Sequence, residues 1–253
     1  MKPLLFYLAS SQSLGESLAQ HLEAELGLWE HRLFPDGETY LRVKSNCEAR
    51  TVFILASLDH PNEKTLPLIF LSETLKELGA SWVGLISPYL AYMRQDKRFH
   101  PGEALSSKTF AQLISRYFDG LVTVDPHLHR YHSLDEIYTI PNQVLSATPL
   151  LSDWIESKVE KPLLLGPDSE SEQWVAQVAK DAKAPYVILE KTRHGDREVE
   201  VTFPSLAAYQ DYQPILIDDM ISTGHTLIEA IKHLKQAHLK APICLSIHGL
   251  FAE

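Results

Sequence analysis

The stretch ILIDDMISTGHTLIEAIKHL, residues 215–234, decides how the rest of the chain is read. It opens on an apolar, β-branched-rich run (Ile215, Leu216, Ile217), meets the adjacent carboxylates Asp218 and Asp219, and passes through small residues from Ser222 to Thr226. Leu227, Ile228, Ile231 and Leu234 then recur at i, i+1, i+4 and i+7, the stripe of a helix lying on a sheet. Strand, acidic turn, small-residue loop and helix are predicted in that order. Backbone N–H groups at a helix start have no intrahelical partner and sit at the positive end of the helix dipole, so a phosphate is well placed there. Gly224 permits close backbone approach, and the hydroxyls of Ser222, Thr223 and Thr226 add donors. The carboxylates just upstream would repel a second phosphate but accept hydrogen bonds from vicinal hydroxyls. A ribose phosphate satisfies both halves.

Composition narrows the alternatives. A chain of 253 residues is comfortable for two α/β domains. With 23 Lys+Arg against 33 Asp+Glu, the net charge of −10 argues against a general binder of nucleic acid or anionic membrane. Cys47 and Cys244 have no metal-ligand spacing and read as free thiols of a reducing compartment. No apolar run of spanning length and no signal-like N-terminus is present, so a soluble, cytoplasmic protein is expected.

Upstream, alternating strand and helix signals predict βαβ units around a mostly parallel sheet. Residues 4–8 read as a strand, followed by a helix carrying Leu14, Leu18 and Leu22. Pro35-Asp36-Gly37 is a turn between apolar neighbours, so Phe34, Asp36 and Glu38 are expected on an exposed loop or hairpin, with a strand over 40–43. Strands over 52–56 and 82–86 flank a helix over 65–78. Next comes SPYLAYMRQDKRF, residues 87–99, where aromatics interleave with Arg94, Lys97 and Arg98, a composition able to stack a base and neutralise phosphates. A helix over 105–117 is expected to be capped by Ser106 and Ser107. A strand over 121–124 runs into Asp125-Pro126-His127-Leu128-His129, and imidazoles past a strand end could hold a metal. Residues 140–150, with Pro141 and Pro149, read as the linker between domains 1–147 and 148–253.

In the second domain a helix over 150–159 and a strand over 163–165 lead into Gly166-Pro167-Asp168-Ser169-Glu170-Ser171-Glu172 and a helix with Trp174, Val175 and Val178. Asp168 sits where a metal-bridged diphosphate could be met, and so acidic a turn calls for a cation, magnesium. A strand over 187–190 precedes KTRHGDRE, residues 191–198, a charged candidate for a lid or hairpin.

In order and approximate spacing, the stretches 34–38, 94–98, 125–127, 166–171, 191–193 and 218–226 resemble the ribose-phosphate pyrophosphokinase (PRPP synthetase) family, in its archaeal-type, class III-like form. The resemblance implies two phosphoribosyltransferase-like α/β domains, each a mostly parallel sheet flanked by helices. It implies transfer of the β,γ-diphosphate of MgATP to O1 of ribose 5-phosphate. Ser222, Thr223, Gly224, His225 and Thr226 would then cradle the 5-phosphate, with Asp218 and Asp219 on the ribose hydroxyls. Lys191 and Arg193 would be the catalytic cations of the lid, and His127 and Asp168 the residues that position Mg2+. Phe34, Asp36 and Glu38 would recognise adenine from a neighbouring subunit, with Arg94, Gln95 and Asp96 on the ATP side of the main subunit, so a homodimer or larger homo-oligomer is implied.

Three features depart from the family pattern: the acidic turn 168–172 lacks the usual paired glycines, His225 stands where glycine is usual, and the lid is short. The resemblance also implies a further strand and helix beyond residues 246–253. Two other readings are a non-catalytic paralogue that regulates a partner synthetase and a type I phosphoribosyltransferase that consumes PRPP.

Overall fold

A computed structural model describes residues 1–167, 171–194, 198–202 and 206–252, with the backbone alone for residue 173 and for those between 190 and 202. The chain divides into two compact units, Met1–Leu145 and Ser146–Glu253.

The first unit is built on the strands Leu4–Tyr7 (β1), Glu25–Leu26 (β2), Thr51–Leu55 (β5), Trp82–Ser87 (β6), Gly120–Val124 (β7) and Asn142–Leu145 (β8). They form one sheet in the order β2-β1-β5-β6-β7-β8, every neighbouring pair parallel. Helices Gln12–His21 (α1), Pro61–Glu77 (α2) and Ser106–Tyr117 (α3) complete the crossovers. A parallel sheet covered on both faces needs strands that are apolar throughout rather than alternating. Leu4, Leu5 and Phe6 are accordingly all buried. Phe6, Ile54 and Leu85 share a cluster with Leu68, Leu71 and Leu75 of α2 and Phe110 and Ile114 of α3, while Leu5 and Leu55 meet Ala19 of α1 in another. Each fully buried Leu or Ile contributes about 1.5–3 kcal/mol over leaving it exposed.

Strands Trp29–Leu33 (β3) and Thr39–Val43 (β4) stand apart from that sheet as an antiparallel hairpin inserted between β2 and β5. Trp29, Leu41 and Val43 root it in the core.

The second unit repeats the plan. Strands Pro162–Gly166 (β9), Tyr186–Ile188 (β10), Gln213–Ile221 (β13) and Ile243–Gly249 (β14) form a parallel sheet in the order β10-β9-β13-β14. Between β10 and β13 lies a second antiparallel hairpin, Glu190–His194 (β11) with Glu198–Thr202 (β12). Helix His225–Gln236 (α6) places Leu227 and Leu234 against Leu163, Leu165 and Leu216. On the opposite face, Thr148–Lys158 (α4) and Glu172–Asp181 (α5) pack Ile155, Val175 and Val178 against Leu164, Ile215 and Ile217. The expected α/β architecture of mostly parallel sheets flanked by helices is therefore observed.

Several local expectations are corrected. The predicted linker over 140–150 contains β8, a sixth strand of the first sheet, which the polar pair Asn142-Gln143 disguised. In α1 the buried residues are Gly15 and Ala19, and Leu14 and the C-cap Leu22 are exposed, because the helix lies too close to β1 for a larger side chain on its inner face. A Cβ on Gly15 would come within 2.6 Å of the Tyr7 ring. In α6 Ile228 is exposed. Ser106 and Ser107 do not cap α3, whose N-cap is Leu105. Their hydroxyls instead meet Gln95 Oε1 at 2.8 Å and the Tyr131 hydroxyl at 3.1 Å. Among the described residues no helix is long and apolar enough to cross a membrane.

Candidate active site

Among the described residues of the second unit, the start of α6 is a helix N-terminus with neither a side-chain cap nor an acid in its first turn. β13 does not stop at the carboxylates as expected but runs through Asp218 and Asp219 to Ile221, because β14 pairs with it on both sides of the acidic pair, Asp218 against Ser246 and Met220 against His248. Successive residues of a strand face opposite sides. Leu216 accordingly joins the α6 cluster while Ile217 joins the α5 cluster. Asp218 and Asp219, both half-buried, inherit that alternation, and the Asp219 N–H donates to Asp218 Oδ1 at 3.0 Å.

Ser222 and Thr223 turn the chain, and Gly224 is the N-cap at φ 72° and ψ 3°, a left-handed conformation that disfavours any side chain. No cap side chain closes the helix and no acid lies in its first turn. Thr223 Oγ1 accepts from the His225 N–H at 3.5 Å, the long limit of a hydrogen bond. The carbonyls of the turn are held from behind: Leu250 and Phe251 N–H donate to Ile221 O at 2.9 and 3.2 Å, and Ala252 N–H to Ser222 O at 3.2 Å. The turn is thus pinned through its acceptors, with the Thr226 N–H and the His225 N–H, the latter on its long bond to Thr223, at a dipole-positive helix start.

Of the other expected residues of this unit, Asp168 lies outside the described residues. Lys191 and Arg193 occupy alternate positions of β11, opposite Val201 and Val199 of β12, so the charged stretch is a hairpin. α5 carries Glu172 in its first turn, which opposes an anion at that helix start.

In the first unit, Phe34, Asp36 and Glu38 sit at the tip of the β3–β4 hairpin, all exposed. Asp36 Oδ1 accepts from Glu38 N–H at 3.2 Å, and Gly37 takes φ 92° to close the turn. Arg32, two residues before Phe34, lays its guanidinium over the Phe34 ring at 4.7 Å and the Tyr40 ring at 4.2 Å. Neither Arg32 nor the role of Tyr40 beside it stands out from the sequence alone. Cross-strand pairing of Arg32 with Tyr40 would have revealed them once the hairpin register was known.

The loop after β6 enters through Tyr92, a non-glycine residue at φ 62°, whose ring packs on Phe110 at 4.7 Å and whose hydroxyl donates to Asn62 Oδ1. Arg94 is exposed, Gln95 half-buried. Asp96 is different: its side chain is 1% exposed and Oδ1 is 2.8 Å from Arg130 Nη1, so its carboxylate is paired within the protein. Further along, Glu103 Oε2 accepts from Phe99 N–H at 2.7 Å and His100 N–H at 3.0 Å. The His100 bond first, then that of Phe99, hold its carboxyl below the usual carboxylate range against the opposing effect of burial. After β7, Asp125 turns the chain at φ 34°, and the rings of His127 and His129 meet edge to face at 3.8 Å.

The donor set bears on the metal. Mg2+ prefers hard oxygen ligands in octahedral geometry and keeps several waters. His127 and His129 offer nitrogen, which suits a contact with phosphate or with a metal-bound water better than direct ligation. The oxygens of Asp218 and Asp219 fit a hard cation, as they fit sugar hydroxyls.

The first part of the chain, residues 3–117, matches the family model described as the N-terminal domain of ribose phosphate pyrophosphokinase, and residues 133–251 match that of the phosphoribosyl transferase domain. The ribose-phosphate pyrophosphokinase of Sulfurisphaera tokodaii is 32% identical over 249 residues, covering 96% of this chain and 84% of that protein. The ribose-phosphate pyrophosphokinase of Methanopyrus kandleri is 35% identical over 254 residues, covering 98% and 86%. Among solved structures, the phosphoribosylpyrophosphate synthetase from Mycobacterium smegmatis matches with a TM-score of 0.89 at 25% identity, over 100% of this chain and 83% of that one.

Proposed function

The chain belongs to the ribose-phosphate pyrophosphokinase family, and from that premise we propose that it transfers the β,γ-diphosphate of MgATP to O1 of ribose 5-phosphate, releasing PRPP and AMP. The observation that carries the reading is the start of α6: an uncapped helix behind a left-handed glycine, with two carboxylates immediately upstream. Phosphate at one end and hydroxyls at the other is the polarity of a sugar phosphate.

The 5-phosphate takes the N–H groups of His225 and Thr226 and the hydroxyls of Ser222, Thr223 and Thr226. Asp218 and Asp219 accept from the ribose hydroxyls and so orient O1. O1 attacks the β-phosphorus of ATP in line, the bond from that phosphorus to the bridging α,β-oxygen breaks, and AMP leaves with that oxygen. The O1 proton passes to solvent, since transfer of this kind needs positioning and charge stabilisation more than a dedicated base. Lys191 and Arg193 offset the charge that develops on the transferred group and on AMP. His127 and Asp168 would position Mg2+, which would supply charge neutralisation at the phosphate oxygens of ATP. Arg94 and Gln95 meet the triphosphate.

The first domain, residues 1–147, is assigned to ATP and the second, 148–253, to ribose 5-phosphate and the cationic hairpin. Phe34, Asp36 and Glu38 serve adenine from a neighbouring subunit. Their exposure at a hairpin tip suits a contact made outside their own unit, and the active form is then a homodimer or larger. A cytoplasmic location follows from the same metabolic role.

The purified chain with MgATP and ribose 5-phosphate, followed by chromatography, should form AMP and PRPP one to one. Lys191→Ala should abolish turnover while leaving ribose 5-phosphate binding intact. Asp219→Ala should raise the KM for the sugar about tenfold, the loss of one or two charge-assisted hydrogen bonds. A folded chain that binds both ligands without turnover would instead be a regulatory paralogue, and base-dependent diphosphate release would mark a phosphoribosyltransferase.

A further inference from the structure

The Asp96 carboxylate stands between two loops that the proposed function assigns to different parts of MgATP. Its Oδ1 is 2.8 Å from Arg130 Nη1, and its side chain is 1% exposed. Oδ2 is buried and has no hydrogen-bond partner among the described residues, so the carboxylate's charge leans on a single guanidinium. The next residue reinforces the crossing. The Tyr131 hydroxyl donates to the Asp96 carbonyl at 3.4 Å and shares a 3.1 Å hydrogen bond with Ser107 Oγ. Arg130 also lies over the Phe99 ring at 5.6 Å, which orients its planar fork.

Asp96 directly follows Arg94 and Gln95, and Arg130 lies three residues beyond His127. We propose that Asp96 is a positioning residue acting through Arg130: the pair braces the loop carrying Arg94 and Gln95 against the loop carrying His127, setting the two at a fixed spacing for MgATP. The inference rests on reading Arg94, Gln95 and His127 as the nucleotide side of the site. It assigns to Arg130 a part in the reaction without contact with substrate. A side chain one-third exposed at the surface would otherwise be passed over as a solvated charge. The buried carboxylate, the paired guanidinium and the neighbouring tyrosine all cross the same gap, which a chance surface ion pair would not do.

The test is steady-state kinetics on Arg130→Gln, Asp96→Asn and their double variant, with Arg94→Ala as reference and thermal melts on all four. Arg130→Gln is expected to raise the KM for MgATP about tenfold, the scale of a small misplacement of binding groups, while the KM for ribose 5-phosphate stays within about twofold. The double variant should be no worse than the worse single one, because the two residues act as one unit. Additive losses would overturn the proposal by showing that Asp96 meets the nucleotide independently. An unchanged KM for MgATP in Arg130→Gln, or equal rises for both substrates, would also overturn it. An Arg94→Ala variant of normal KM would sink the nucleotide reading itself, whereas a defective Arg94→Ala beside a normal Arg130→Gln sinks only the brace. Should Asp96→Asn fail to fold, Arg130→Lys decides: it keeps the charge without the fork, and a raised KM for MgATP at a wild-type Tm supports the brace, while a wild-type KM refutes it.

Discussion

Replacing Gly224 by alanine separates the conformational from the chemical role of the phosphate turn. Gly224 sits at φ 72°, and the nearest atom to an added Cβ is the Ile221 Cγ2 at 3.9 Å, an ordinary van der Waals contact that requires nothing to move. Its cost is therefore backbone conformation alone. An L-residue in the left-handed region is disfavoured by about 1–2 kcal/mol, and loss of glycine's freedom in the unfolded chain returns about 0.4–1 kcal/mol. The net destabilisation should be near 1 kcal/mol, a fall in Tm of about 2–4 °C for a chain of this size. Gly224→Asn, a residue that tolerates the left-handed region, should lose less. Calorimetric melts measure that part, and titration with ribose 5-phosphate measures the other, where a relaxed turn misaims the His225 and Thr226 donors and affinity falls about tenfold or more. An alanine variant as stable as the parent would refute the left-handed cap, and one destabilised but of unchanged affinity would refute the cradle.

Two further outcomes are expected. Burial acts to raise the Asp59 carboxyl, but the Lys64 ammonium at 2.7 Å, by hydrogen bond and charge, and His60 bring its pKa below the usual value. A carboxyl depressed in the folded state stabilises fully above its unfolded pKa of about 4 and loses that contribution as the pH falls through the folded value. Urea melts should therefore find Asp59→Asn less stable than the parent at pH 7 and indistinguishable near pH 2, and an equal gap at both would rule out the pairing. Gly166→Ala places a Cβ 2.5 Å from Ser171 Oγ and 2.6 Å from Ile188 Cδ1 at the end of β9, so overpacking should cost about 1–3 kcal/mol in chemical denaturation. A neutral result would mean that β9 and α5 are farther apart than described.

What the sequence made legible was periodic and local. Leu4–Tyr7, Thr51–Leu55 and Trp82–Ser87 announce themselves as apolar runs because buried parallel strands have no polar face to show. The turn at Ser222–Gly224 was readable because glycine and hydroxyl residues cluster where backbone geometry demands them. Features that depend on a distant partner were not readable. The acidic pair Asp218-Asp219 looked like a strand end, and only its pairing with β14 carries the strand past it. Ser106 and Ser107 look like caps until Gln95 and Tyr131, far away in sequence, claim their hydroxyls. Asp96 reads as one more charge in a basic loop, and its burial follows from Arg130, which no local pattern links to it. Leucine spacing in α1 misled for a complementary reason, since the helix approaches β1 through Gly15 and Ala19.

Both sheets repeat one strand order, β2-β1-β5-β6 and β10-β9-β13-β14, and in each the third strand leads into a helix that begins at a left-handed residue. In the first unit that residue is His60 at φ 52°, Pro61 withholds the next N–H, Glu63 adds a carboxylate to the first turn, and Asp59 is already engaged with Lys64 at 2.7 Å. The corresponding turn of the second unit has glycine, hydroxyls and no acid. Of two helix starts with the same architectural address, one puts a proline and a carboxylate in its first turn and the other has neither. A repeated scaffold thus carries two unlike helix starts, and on the proposed function only the second would seat a phosphate.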